Sequence, residues 1–148
     1  MAKYTIPFKR LRANAKAPLH AHKSDAGYDL YVSSILPHDD GQMITFGCGL
    51  AFDFSSVGYA DARARSSCWK HGLVLTNGAG VIDAGYRGEV GGVFNAVRKD
   101  AKIYNIGDRF IQLLFPMLDI GDDVEFVEVE TLPASDRGEG GYGSTGDR

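Results

Sequence analysis

The stretch Tyr59-Ala60-Asp61-Ala62-Arg63-Ala64-Arg65 alternates large polar and small apolar side chains. Asp61, Arg63 and Arg65 share one parity and the three alanines the other, the period-two pattern of a strand with one face turned inward. Just downstream, Ser66 to Gly72 carries the best helical signal in the chain, a single short helix with Gly72 as its stop. Then come the turn cluster Asn77-Gly78-Ala79-Gly80 and the run Val81-Ile82, Asp83-Ala84-Gly85, Tyr86 to Val90. That run predicts a β-hairpin bent at Asp83. Further out, Phe110 to Phe115 reads as a mostly buried strand, and Ser24-Asp25-Ala26-Gly27 as a turn. Val124 and Phe126 share one face before Val127 and Val129 shift by one, which predicts a bulge or bend.

These short apolar runs, separated by turns built from many of the 19 glycines, predict an all-β fold. A length of 148 residues, without repeat or Pro- or Ser-rich linker, fits one domain. The net charge of −3 speaks against a general nucleic-acid binder, which needs a basic surface, but not against a small phosphorylated ligand. Cys48 and Cys68 are too few for a disulfide framework, so a reducing compartment is expected. Met1 to Arg12 has no apolar signal-peptide core, and no apolar run is long enough to span a membrane. A cytoplasmic address is the expectation.

From Asp136 onward the chain is almost entirely glycine, small polar and charged residues, which alone reads as disorder. Its GxGxxG, at Gly138, Gly140 and Gly143, cannot be a dinucleotide-fold motif, because five residues do not make the helix that must follow. What remains is backbone able to wrap phosphates, Arg137, hydroxyls, and Tyr142 as a ring suited to stacking on a base. Asp83 has the side chain of an ordinary turn former, or of a general base that orients and deprotonates a water. Asp25 and Asp29 are turn carboxylates or partners for Mg²⁺, which keeps several waters and needs few protein ligands. Arg65-Ser66-Ser67 places a guanidinium and hydroxyls at a helix start, where N–H groups favour anions, while Arg109 and Gln112 add two more donors. His20 and His22 lack a third metal ligand and read as solvated, and Trp69 needs no role beyond packing.

In their order along the chain, these clusters resemble the five motifs of the trimeric dUTPases. Asp25-Ala26-Gly27-Tyr28-Asp29-Leu30 is similar to the first, Arg65-Ser66 to the second and Gly80 to Gly88 to the third. Gly107 to Leu113 is similar to the fourth and Arg137 to Gly146 to the fifth. The resemblance implies a jelly-roll β-barrel protomer over residues 1–134 and a threefold homotrimer with active sites between subunits. It also implies a flexible arm, residues 135–148, closing over a neighbour's site. The implied reaction is Mg²⁺-dependent hydrolysis of dUTP to dUMP and pyrophosphate, which limits uracil incorporation into DNA and supplies dUMP for dTTP synthesis. By position, Asp83 is the water-activating carboxylate, with Arg65 and Ser66 beside it in catalysis. Asn77 and Gly80 would meet uracil, Tyr86 the deoxyribose face, and Tyr142 the base by stacking. Arg65, Ser66, Ser67, Gln112, Arg137, Gly143 and Ser144 would hold phosphates, and Asp29 would reach Mg²⁺ through water. Neither a membrane nor nucleic acid is an implied partner.

Three residues or segments depart from the family pattern: Gly85 where many relatives carry a second aspartate, Tyr142 where phenylalanine is commoner, and Ser67-Cys68-Trp69 in place of Gly-Leu-Ala. The stretch from there to Asn77 is one residue short. Two other readings stand beside the hydrolase. A dCTP deaminase, a sibling on the same fold, would carry a glutamate three residues before Asn95, where this chain has Gly92. A nucleotide-binding regulatory module with a protein partner would keep the site without turnover.

Overall fold

The computed structural model describes residues 2–119 and 121–147, so Met1 and Arg148, the outer ends of the two expected segments, lie outside it together with Ile120. Among the described residues, eleven strands form three sheets. The first sheet joins β11 (Asp123–Glu128), β1 (Lys3–Arg10) and β5 (Leu50–Phe52). The second runs β2 (Tyr28–Tyr31), β10 (Arg109–Leu114), β6 (Tyr59–Ala64), β8 (Gly80–Asp83). The third runs β3 (Ser34–Pro37), β4 (Met43–Gly47), β9 (Gly91–Ala96), β7 (Leu73–Leu75). The parallel pairing of β1 with β11 ties the two ends of the barrel together.

The alternation over β6 holds for Ala60, Ala62 and Arg63, but Asp61 on the polar face is buried as well. Ala62 and Ala64 pair with Leu113 and Ile111 of β10, which are fully buried, while Arg63 pairs with Gln112 on the opposite face. The core between the sheets is aromatic. Phe46, Phe94, Tyr104 and Phe110 meet at centroid distances of 5.5–6.4 Å, and each such pair adds about 0.5–1.5 kcal/mol beyond the area it buries. Both cysteines are free and buried, and burial pushes the Cys48 thiol up to about 12, which leaves it protonated and unreactive.

Four sequence expectations are corrected. The helix expected from Ser66 to Gly72 is a single 3-10 turn, Cys68–His71, ended by Gly72 in a left-handed conformation with φ 67°. A second 3-10 turn, Ser55–Val57, was not foreseen. The bulge lies in β10, between Arg109 and Ile111, rather than in β11, which keeps unbroken register with β1. That extra residue lets Phe110 and Ile111, neighbours in sequence, both face the core. Finally, Asp83 ends a strand but does not bend a hairpin. The turn closes through Tyr86 N donating to Asp83 O at 3.0 Å, yet β8 pairs with β6. The outgoing chain has other partners: Cys48 N donates to Val90 O and Val90 N to Leu50 O.

Candidate active site

Beside the turn at Asp83 lies a cleft of about 260 Å³ lined by Leu75, Asn77, Gly80, Ile82, Asp83, Tyr86, Gly91, Arg137, Tyr142 and Gly143, among others. The size suits a pyrimidine nucleoside, at the lower end of ligand pockets. Its floor is apolar, since Ala62, Ile82 and Ile111 point into it from the second sheet. Asn77 enters from the turn after β7, closed by Gly78 N donating to Leu75 O. Tyr86 lies across one wall with its hydroxyl donating to Glu89 O at 2.9 Å. Gly88 makes that pose possible, because a Cβ there would sit 2.5 Å from the Tyr86 oxygen. Burial, together with Tyr142 and Glu89, raises the Tyr86 phenol against the opposing pull of Arg137, so the hydroxyl stays a donor at neutral pH.

The glycine-rich arm forms the outer wall. Gly138 makes a parallel bridge with Tyr86. Arg137 lies over the Tyr86 ring at 5.9 Å and donates to Asp83 Oδ2 at 2.6 Å. Tyr142 is 71% exposed, with only its hydroxyl reaching in toward Gly91 O at 3.4 Å. Its φ of 43° is left-handed, a conformation few side chains accept. Gly143 lines the cleft, but Ser144 does not. The arm thus lies against its own chain's cleft.

The remaining residues singled out in the sequence gather elsewhere. Asp29 on β2 pairs across the sheet with Gln112, which in turn pairs with Arg63. Asp29 is nearly buried and ion-paired twice, to Arg109 at 2.9 Å and to Arg65 at 3.3 Å. Gln112 rests over Gly27, where a Cβ would fall 2.2 Å from its Oε1, and donates to Ala64 O at 3.3 Å. That clearance is the physical content of the glycine in the Asp25 to Leu30 motif. Ser66 and Ser67 sit in the turn after Arg65, and neither hydroxyl makes a hydrogen bond among the described residues. One 3-10 turn presents little dipole, so these hydroxyls, more than a helix start, are what that turn can offer to an anion.

The two groups are far apart within one chain. Asp83 pairs with Tyr59 at one end of β6, and Arg65 follows Ala64 at the other. Six residue steps at about 3.3 Å put them roughly 20 Å apart.

Among the described residues, no cluster of three His, Cys, Asp or Glu side chains is placed to hold a metal. Asp29 nonetheless fits an outer-sphere role: each oxygen holds one guanidinium, and a carboxylate has further lone pairs for water. His20 and His22 are tied to Asp25, through its carbonyl and its carboxylate respectively. Trp69 is not packed as expected but 67% exposed beneath Lys70. Sequence reasoning missed Glu89, Val90 and Gly91 as cleft residues and gave Arg87 no role. Their only signal was their place directly after the Asp83 turn.

Fold and cleft together define an all-β protein of jelly-roll type with a nucleoside-sized site, flanked by a carboxylate and capped by an arm that brings Arg137 to it. The family profile described as dUTPase matches residues 13–146, and the chain belongs to that family. It is 35% identical over 149 residues to the deoxyuridine 5'-triphosphate nucleotidohydrolase of Clostridium tetani (strain Massachusetts / E88), covering 99% of each chain. Among solved structures, a mutant Staphylococcus bacteriophage 80alpha dUTPase with dUpNHpp superposes with TM-score 0.60 at 26% identity, covering 95% of this chain and 98% of that one. A mutant dUTPase from phage phi11 of S. aureus, solved to show the coordination of a structural Mg(II) ion, shares the fold with TM-score 0.59 at 24% identity, covering 74% and 88%.

Proposed function

We propose that this chain hydrolyses dUTP to dUMP and pyrophosphate. The observation that carries the reading is the convergence of Asn77, Asp83, Tyr86, Arg137 and Tyr142 on one nucleoside-sized cleft. Asn77 and the backbone near Gly80 read the uracil edge, and Tyr86, pinned by Glu89 and Gly88, leaves no space for a 2′-hydroxyl. Tyr142 stacks on the base once the arm settles.

Asp83 accepts a proton from a water that attacks the α-phosphorus, the Pα–O bond to the β-phosphate breaks, and pyrophosphate leaves. What the fold must supply to Asp83 is orientation toward the attacking water. Asp29 would hold Mg²⁺ through water, and the ion would supply charge neutralisation for the leaving phosphates. Arg137 holds the γ-phosphate after giving up Asp83. That exchange costs little, because the Asp83 side chain is 55% exposed and such pairs are worth about 0–1 kcal/mol.

Arg65, Ser66, Ser67 and Gln112 are the phosphate-gripping residues, together with Gly143 and Ser144 of the arm. Arg65 follows β6 roughly 20 Å along the strand from the position that pairs with Asp83. That separation supports a site that takes its base from one protomer and its phosphate face from another, and membership of the dUTPase family supports a homotrimer. A cytoplasmic address agrees with two free, buried thiols, and no described helix is long and apolar enough to cross a membrane.

The test is pyrophosphate release from dUTP, dTTP, dCTP and UTP, with and without Mg²⁺. Turnover confined to dUTP and dependent on Mg²⁺ is expected. Ammonia release from dCTP, or tight binding of dUTP without pyrophosphate, would overturn the proposal.

A further inference from the structure

Arg87 takes no part in the mechanism above, yet its side chain is only 10% exposed and donates to several backbone carbonyls. Its Nη1 donates to Ala84 O at 2.6 Å and to Phe52 O at 3.4 Å. Its Nη2 lies 3.2 Å from Asp53 Oδ1. Its Nε donates to Pro133 O at 2.7 Å, and its amide to Gly138 O at 2.6 Å. We propose that Arg87, clamped by Asp53, is a positioning residue that fixes both the turn bearing Asp83 and the root of the arm bearing Arg137. The inference deepens the reading of the same site as a dUTP hydrolase.

The anchor is rigid. Asp53 follows β5, its amide donates to Pro7 O of β1, and its carboxylate accepts the Ser55 amide at 3.0 Å and the Ser55 hydroxyl at 2.5 Å. Burial works against ionisation there, but the Ser55 donors and Arg87 outweigh it and hold the carboxyl below its ordinary value. From this fixed point the guanidinium reaches two segments outside the regular strands. One is the turn: Ala84 follows Asp83, so the carbonyl that Arg87 grips fixes the 84–85 peptide one residue beyond the Asp83 side chain. The other is the arm, whose root is further tied down by the Ser135 hydroxyl donating to Gly85 O and accepting from Gly138 N.

Only a guanidinium suits this place. It presents five donors in a planar fork, whereas a lysine ammonium is a point charge that can satisfy Asp53 without spanning Ala84 and Pro133. Base and lid arginine are thus indexed to one side chain, and a misplacement of about 1 Å in such groups costs on the order of 100-fold in rate.

The experiment compares full-length wild-type protein with Arg87→Gln, Arg87→Lys and Asp53→Asn. The readouts are dUTP steady-state kinetics, thermal melting, and the rate of tryptic cleavage at Arg137 without nucleotide. For Arg87→Gln we expect kcat to fall about 10- to 100-fold with a smaller change in KM, and cleavage at Arg137 to accelerate. Arg87→Lys, which keeps the charge opposite Asp53, should melt like wild type and still lose most of kcat. It decides the matter where Arg87→Gln fails to fold. Wild-type kcat and cleavage rate in a folded Arg87→Lys would overturn the proposal, as would losses that merely track the melted fraction. A wild-type protein that does not consume dUTP would sink the hydrolase reading instead, and the cleavage rates would still test Arg87.

Discussion

Asp83 ends β8 with its carboxylate open to the cleft and held by Arg137 at 2.6 Å. Replacing it with asparagine keeps the shape and removes the proton acceptor. We predict that Asp83→Asn binds dUTP as wild type does and loses about 10²- to 10⁴-fold in kcat. Weakened binding with an intact rate constant would contradict the role. Gly88 makes a second prediction. A Cβ there would meet Tyr86 at 2.5–2.9 Å, so Gly88→Ala must push the ring off its seat on Glu89 O. The expected result is a narrowed ratio of kcat/KM between dUTP and UTP, since the proposed function assigns exclusion of the 2′-hydroxyl to the tyrosine face. An unchanged ratio would show that sugar selection lies elsewhere.

At the scale of elements, the arm and the second sheet divide the labour. No described residue beyond Ser135 belongs to the hydrophobic core, while Arg137, Tyr142 and Gly143 all line the cleft. Truncation after Ser135 should therefore leave a protein that melts within a few degrees of the full chain but hydrolyses dUTP poorly. Full activity in the truncated chain would show that the arm is no lid. Read in sequence, the arm looks disordered because it has almost nothing apolar to bury. It is placed by backbone bonds to the 85–87 segment, a partner about 50 residues away that local pattern does not reveal. The bulge in β10 was missed for a like reason. Consecutive Phe110 and Ile111 were legible as a buried run, but which strand bends to accommodate them depends on the register with β2.

At the scale of the whole molecule, β6 is the measuring rod. Asp83 lies opposite its first residue and Arg65 follows its last, and the proposed site draws the two from different copies. We predict that Asp83→Asn and Arg65→Ala chains, each nearly inactive alone, regain activity when co-refolded, because mixed oligomers contain sites with one intact half from each. Mixtures no more active than the parents would show that every site draws both residues from one chain.

The sequence by itself determined the alternation that makes β6, the predominance of β-structure, and the set of side chains fit for a phosphorylated nucleotide. These are local properties, written in the spacing of apolar, glycine and charged residues. Only the tertiary structure decided that Asp83 ends a strand without bending a hairpin, that Asp29 is held by Arg65 and Arg109, and that Arg87 links turn to arm. Each of those rests on which backbone donors and acceptors find one another across long chain separations, and pairing at that range follows from register and burial, not from the identity of neighbouring residues.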